Sequence, residues 1–541
     1  MLRITLRLQR TGLVGMSAFG VFYGLFQAAA YRSAAGTNQA AQVAFGHQME
    51  TLGRSLTYLL PIPERLDTFG GYTQWRIYGA LPLLFAFWAV MSASGATRGD
   101  EERGLIEEWA SAGAGRWRYM AVRFAGFFIA ATVAVAATSA AIDIGSAASG
   151  FQLDQPGVVE ISVALVGLTL ACYAIVMVVA QVPTGRTAAA GLGGAVIALL
   201  FFVNSFGRTV DSLRQVAKVI SPFYYYDRSN PLTPDGSFDV AATIGLFAAS
   251  LVLAALAAWL LSRRDLGAPL FRRRLRQAPF TDRPSSNPVL RIPVVAVVYE
   301  QRWGILAWAA GCTLGAVYLV SITRPTVDDL IKGSGAFAAY LTVAGKGDPY
   351  TALAGYFWFG IFLSVLAIYA ITQVARWAAD DGEGRLEMVL SAPVSRTRVV
   401  IERAGALLVD TALIILLSST GFYVAARADN IPISVSDVVA ASVPLIPFAL
   451  SFAAVGALLA SRVPRATVAV LTTLAFISYL ITQAGPILKL PDWVMKLSVF
   501  SLYGTPITSG IDWTGFTIMV GVTVVGFAAG AALMQRREVG A

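Results

Sequence analysis

A chain of 541 residues that is 56% hydrophobic and only 13% charged, with a mean hydropathy of +0.64, is not a soluble globular protein, where about a quarter of residues carry charge. The net charge of +9 raises the question of nucleic acid, but the basic residues gather on one side of the apolar segments, which is the orientation bias of a polytopic membrane protein; no nucleic-acid partner is expected. Two cysteines, Cys172 and Cys312, both within apolar runs, exclude a disulfide framework.

The chain opens with Arg3, Arg7 and Arg10 on one helical face and Leu2 and Leu6 on another, followed by an apolar run over 11–31. This imitates a secretory signal ending at Ala28-Ala29-Ala30. However, Gln9-Arg10-Thr11-Gly12-Leu13 reappears inside the chain as Gln301-Arg302-Trp303-Gly304-Ile305, so a retained first helix is expected. Further runs long enough to span a bilayer follow at 74–97, 119–144, 158–181, 187–206 and 240–262. A second series occupies 303–322, 353–376, 400–427, 438–460, 466–485 and 514–535. The reading is an all-α polytopic membrane protein of twelve spans in two tandem six-helix halves, with both termini cytoplasmic. The halves are 1–262 and 303–541, and the external segments 32–70 and 207–239 are candidates for small gating helices. Between the halves, 263–302 carries nine arginines and reads as a cytoplasmic linker against anionic headgroups. Its last part, PVVAVVYEQRWG, reads as an interfacial helix.

The halves repeat each other in detail. Residues 104–125 return as 384–405, matching Gly104/Gly384, Glu107/Glu387, Ser111/Ser391, Arg116/Arg396, Arg118/Arg398 and Arg123/Arg403. Val182-Pro183 corresponds to Val463-Pro464, and Ser221-Pro222-Phe223…Tyr226 to Ser498-Val499-Phe500…Tyr503. Arg263-Arg264-Asp265-Leu266-Gly267 corresponds to Arg536-Arg537-Glu538-Val539-Gly540. Internal duplication is common among transporters, with the path at the interface between repeats.

A phosphate-cradling loop needs Lys-Ser/Thr at a helix N-terminus. The nearest string, Ala344-Gly345-Lys346-Gly347-Asp348, has no hydroxyl after its lysine, and no metal or nucleophile motif stands out beside it. The chain is therefore not expected to be an enzyme or to hold a cofactor. The repeated segment is the better place for energy to enter. Each copy begins with acids (Asp100, Glu101, Glu102; Asp380, Asp381, Glu383) and a glycine that permits a turn. A short amphipathic stretch then carries Glu107, Glu108 and Trp109, or Glu387, Met388 and Val389. Gly113 or Pro393 breaks it, and Arg116 or Arg396 leads into the next span.

The pattern of acids, Gly, x-x-Glu, Ser-x-Pro and Ser-Arg resembles the coupling helix between spans two and three of ABC type-2 exporter permeases. Residues 383–396 fit it well, and the first copy has Gly113 in place of the proline. The fused twelve-span form is similar to the actinobacterial polyketide-antibiotic (tetronasin-type) and multidrug exporter membrane subunits. The resemblance implies a bacterial plasma-membrane permease with two copies of a separate ATPase subunit, which would hold the ATP and Mg. It implies alternating access for amphipathic or hydrophobic, drug-like or lipid-like compounds. It assigns ATPase coupling to Glu107, Glu108, Trp109, Arg116, Glu387, Met388, Pro393 and Arg396. It assigns the substrate pathway to spans two and five, with Phe85, Trp88, Phe201, Phe202 and Asn204 in the first half. Tyr356, Trp358, Phe362, Phe476 and Tyr479 are the corresponding residues of the second. The rival reading is a proton-coupled drug antiporter using Asp410, an intramembrane acid with Ala130 at the equivalent position.

Overall fold

Apolar runs of this length leave every backbone polar group to be satisfied within its own segment, which makes the helix the default. The computed structural model describes residues 2–536 apart from 37, 58, 271–286, 334–347, 383, 464, 465 and 489, and among these no strand occurs. The chain divides into two units, Met1–Pro279 and Phe280–Ala541.

In the first unit the long helices are α1 (Leu2–Ala35), α2 (Phe69–Glu102), α3 (Arg116–Ala148), α4 (Gln155–Val179), α5 (Arg186–Gly207) and α6 (Val240–Arg263). In the second they are α7 (Pro293–Ser321), α8 (Pro349–Gly382), α9 (Arg396–Ala428), α10 (Val435–Arg462), α11 (Thr467–Leu488) and α12 (Trp513–Arg536). Among the described residues, ten helices are long and apolar enough to cross a membrane by length and composition. The helix α9 carries Arg396, Arg398, Glu402 and Arg403 in its first turns and Asp410 further in.

The amphipathic start of the chain does not form a separate element. Residues 2–10 continue unbroken into α1, and 293–302 continue into α7. At 34 residues α1 extends about 50 Å, well beyond a hydrocarbon core of about 30 Å.

The same neighbour relations appear in each unit. In the first, α1 packs on α3, α4 on α6, and α2 touches both α4 and α5; in the second, α7 packs on α9, α10 on α12, and α8 touches α10 and α11. Without a hydrophobic drive between helices in lipid, small residues that permit close approach decide such pairings. On α1, a Cβ at Gly20 would lie 1.9 Å from the Thr138 hydroxyl, and one at Gly24 would lie 2.7 Å from the Ile142 side chain. The α1–α3 contact is therefore a small-xxx-small seam.

Aromatic stacking fills the centre of each unit. In the first, Phe127 stacks on Tyr173 with centroids 3.9 Å apart and meets Trp88 at 4.9 Å. In the second, Trp358 stacks on Phe362 at 4.6 Å. The helix α2 also winds more widely at Thr73–Tyr78 and Gly95–Gly99, where it adopts π geometry. The second of these wide turns leads directly into the acidic segment.

Candidate functional site

Each copy of the repeated segment is built on a glycine in the left-handed region. Gly104 and Gly384 both have φ of 72°, and a Cβ at either would meet nothing within 4 Å. The glycine is thus required by backbone conformation rather than by crowding. The chain reverses there and forms a short helix, Leu105–Ser111 in the first unit and Arg385–Leu390 in the second. One apolar residue anchors each helix inward: Ile106 and Leu386 are both buried. Leu386 packs with Val399, Val400 and Met534, whereas Trp109 sets its ring edge-on to Tyr119 at 5.4 Å.

The outward faces differ. Glu107 and Glu108 are exposed in the first unit; Glu387, Met388, Val389 and Pro393 are exposed in the second. The first surface is acidic and the second largely apolar.

Two arginine contacts recur in both units and tie the turn to its own bundle. Arg116 donates from Nη1 to the carbonyls of Leu261 (2.9 Å) and Arg264 (2.7 Å), at the end of α6. Arg396 donates likewise to the Met534 carbonyl (3.3 Å) near the end of α12. These guanidinium groups satisfy carbonyls that a helix terminus leaves unpaired, so both sequence-expected arginines point into their units. The second contact was not expected from the sequence. Asp100 forms an ion pair with Arg123 on α3 and accepts from Tyr119 Oη (2.6 Å) and Arg103 Nη2 (2.5 Å). Asp380 pairs with Arg403 of α9 (3.1 Å) and with Arg385 of its own turn (3.2 Å). In each unit the first acid clamps the turn to an arginine two turns into the following helix.

A further buried cluster secures the first unit. Arg264 grips Glu101 in a bidentate pair, with both contacts at 2.6 Å, and donates to Gln181 Oε1 at 2.9 Å. Arg98, fully buried, donates to the Ala180 and Gln181 carbonyls (both 2.8 Å) and meets Glu101 at 3.0 Å. The Gly267 amide donates to Glu101 at 2.5 Å. One carboxylate therefore joins the end of α2, the α4–α5 turn and the chain leaving α6. The sequence signal available was the Arg-Arg pair closing each half. Arg98 has Ala378 at its repeat position, and Arg537 lies outside the described residues.

At the other end of each unit, helices two and five of the repeat border a cavity. Asn204 donates to Asp227 (2.7 Å) beside a space of about 250 Å³ lined by charged and polar groups. Arg208 crosses there to the carbonyls of Thr57 (2.8 Å) and Leu60 (2.6 Å) and to Asp227 (2.7 Å), tying the 32–70 and 207–239 segments together. In the second unit Tyr356 and Tyr479 border a larger, mainly apolar cavity of about 510 Å³ with Phe359, Phe500 and Tyr503. Ser221 and Ser498 each return a hydroxyl bond to helix five, at the Leu200 carbonyl (2.8 Å) and the Ser478 carbonyl (2.6 Å). Of the remaining expected pathway residues, Phe85, Trp88, Phe201, Trp358 and Phe362 are buried within their units, Phe476 is half-buried and Phe202 is exposed. Asp410 is 1% exposed, accepts from Tyr369 Oη at 3.3 Å, and has no hydrogen-bond partner at Oδ1 among the described residues. The Ala344–Gly347 string lies outside the described residues.

Residues 290–535 match the family described as multidrug efflux system permease Rv1217c, C-terminal domain. No curated protein matches the chain. The permease match and the ten membrane-capable helices among the described residues support a multi-pass membrane component of a drug exporter. The second of the duplicated turns lies within the matched residues.

Proposed function

We propose that this chain supplies two membrane halves of an ATP-driven ABC exporter, twelve spans with both termini cytoplasmic, working with two copies of a separate ATPase subunit that holds the ATP and Mg. The supporting observation is the doubled turn. In both units a left-handed glycine, an Asp–Arg clamp and an arginine on the last helix connect an exposed short helix to three long ones. A push on that helix is transmitted to α2, α3 and α6, or to α8, α9 and α12. Coupling requires that nucleotide and cargo favour different states of one bistable element, and on this reading the turns receive the nucleotide signal. The aromatic cavity of the second unit suits an amphipathic, antibiotic-like cargo. Reversing Glu107→Arg with Glu387→Arg in the purified complex should abolish cargo-stimulated ATP hydrolysis while leaving the fold intact. Unchanged stimulation in the double variant would remove these turns from coupling.

A second reading, proton-coupled antiport, draws on the bare Oδ1 of Asp410 inside a packed helix bundle. It predicts transport that collapses with an uncoupler while ATP is plentiful.

A further inference from the structure

At the basic end of the first unit, a cavity of about 260 Å³ opens between α1, α2, α3 and α5. Its polar wall carries Arg103, Arg123 and Arg186 against a single carboxylate, Asp100. Asp100 is already shared between Arg103 and Arg123. Among the described residues the Arg186 guanidinium makes no ion pair, and Arg186 is exposed. Its stem crosses α2 at Gly99, where a Cβ would lie 2.9 Å from the Arg186 Cδ, so the glycine lets the side chain cross close to the helix. Three guanidinium groups and one acid line this concave site, while Glu102, outside the lining, accepts from the Arg186 backbone amide at 2.7 Å; two positive lining charges to spare against one nearby acid leave the site net basic. The neutral edge is the Gln9–Ser92 hydrogen bond (2.8 Å).

The remainder of the lining is apolar: Leu8, Gly12, Trp88 and Met91. Leu8 and Met91 are both more than 40% exposed, so the rim is open and greasy. Arginine forks match phosphate oxygens bidentately, and an apolar flank beside them fits the first carbons of an acyl-glycerol rather than a fully hydrated ion. The cavity lies where the apolar run of α2 gives way to Arg98–Glu102, the depth of lipid headgroups. Basic pockets between spans on this side are suited to anionic headgroups. We propose that this cavity binds the phosphate of an anionic phospholipid. The site belongs to the first repeat alone. The repeat positions of Arg103 and Arg186 are held by Glu383 and Thr467, so the second half has an acid and a neutral residue there. The proposal does not depend on the ATPase reading.

The test is native mass spectrometry of the detergent-purified full chain with added phosphatidylglycerol or phosphatidylcholine. Wild-type protein should retain phosphatidylglycerol in preference to phosphatidylcholine. Arg186→Gln should weaken that retention, and Arg103→Gln with Arg186→Gln should weaken it by about thirtyfold. Arg118→Gln, an exposed arginine at the same end, should leave it unchanged. Because Arg103 is in an ion pair, the single Arg186 variant carries the test if the double variant misfolds. Equal retention by wild type and Arg186→Gln, or equal retention of the two lipids, overturns the site. Displacement of phosphatidylglycerol by millimolar inorganic phosphate overturns the lipid as the source and assigns the site to soluble phosphate.

Discussion

Replacing Glu101 with glutamine tests the buried cluster at the end of α2. The glutamate receives Arg98, both terminal nitrogens of Arg264 and the Gly267 amide, and both arginines are almost wholly buried. An amide is nearly the same size, so packing survives while the only carboxylate paired with these two guanidinium groups among the described residues is removed. Breaking a buried ion pair by deleting one partner costs about 3–5 kcal/mol, because the remaining charge stays desolvated. For a unit of this size, where each kcal/mol moves the midpoint by roughly 2–4 °C, the variant should unfold at least about 6 °C below wild type. Thermal unfolding of the detergent-solubilised protein, followed by intrinsic fluorescence, measures this, with Glu108→Gln on the exposed face as the neutral control. A midpoint within 2 °C of wild type would show that the guanidinium groups are solvated or otherwise paired, and would refute the cluster as a structural lock.

Four other outcomes are expected. Gly104→Ala and Gly384→Ala should each lose about 1–2 kcal/mol, since an L side chain is strained at φ 72°; asparagine, which tolerates that region, should recover part of the loss in a melting assay. Gly20→Val should separate α1 from α3, with Thr138 in the way, and lower folded yield sharply in fluorescence size-exclusion profiles, whereas Gly15→Val, where a Cβ meets nothing, should not. Arg116→Ala and Arg396→Ala should each lower cargo-stimulated ATP hydrolysis more than they lower the melting point, because they join the turn to the last helix without bearing the core. Asp410→Asn should leave ATP-driven transport in sealed vesicles intact; loss of transport together with loss of uncoupler sensitivity would favour the antiporter instead.

Helix positions were legible because lipid-length apolar runs have one structural solution, and the repeat was legible because turn chemistry leaves a fixed sequence trace. Gly104 and Gly384 show this best: their spacing from Glu107 and Glu387 was visible, and both adopt the same dihedral angle. What was not legible depends on pairs distant in sequence. Nothing near Glu101 announces Arg264, which arrives through the end of α6. The Asp100–Arg123 and Asp380–Arg403 clamps were hidden for a simpler reason: the arginines were seen as matched pairs without their partners. Aromatic residues were hardest to sort. Phe85 and Phe362 are fully buried in helix packing, whereas Tyr356 and Tyr479 border a cavity, and a hydropathy pattern cannot distinguish an interior face from a lining one.

The exposed faces of the two turns have drifted apart, Glu107 and Glu108 on one and Met388, Val389 and Pro393 on the other. A pump assembled from two identical half-size chains could not do this, since any change in one contact would appear in both. Fusion frees each contact to evolve alone. Under the proposed coupling, a motor built from identical subunits would have to recognise two unlike surfaces with one groove, and the more permissive contact would set how far either surface can diverge.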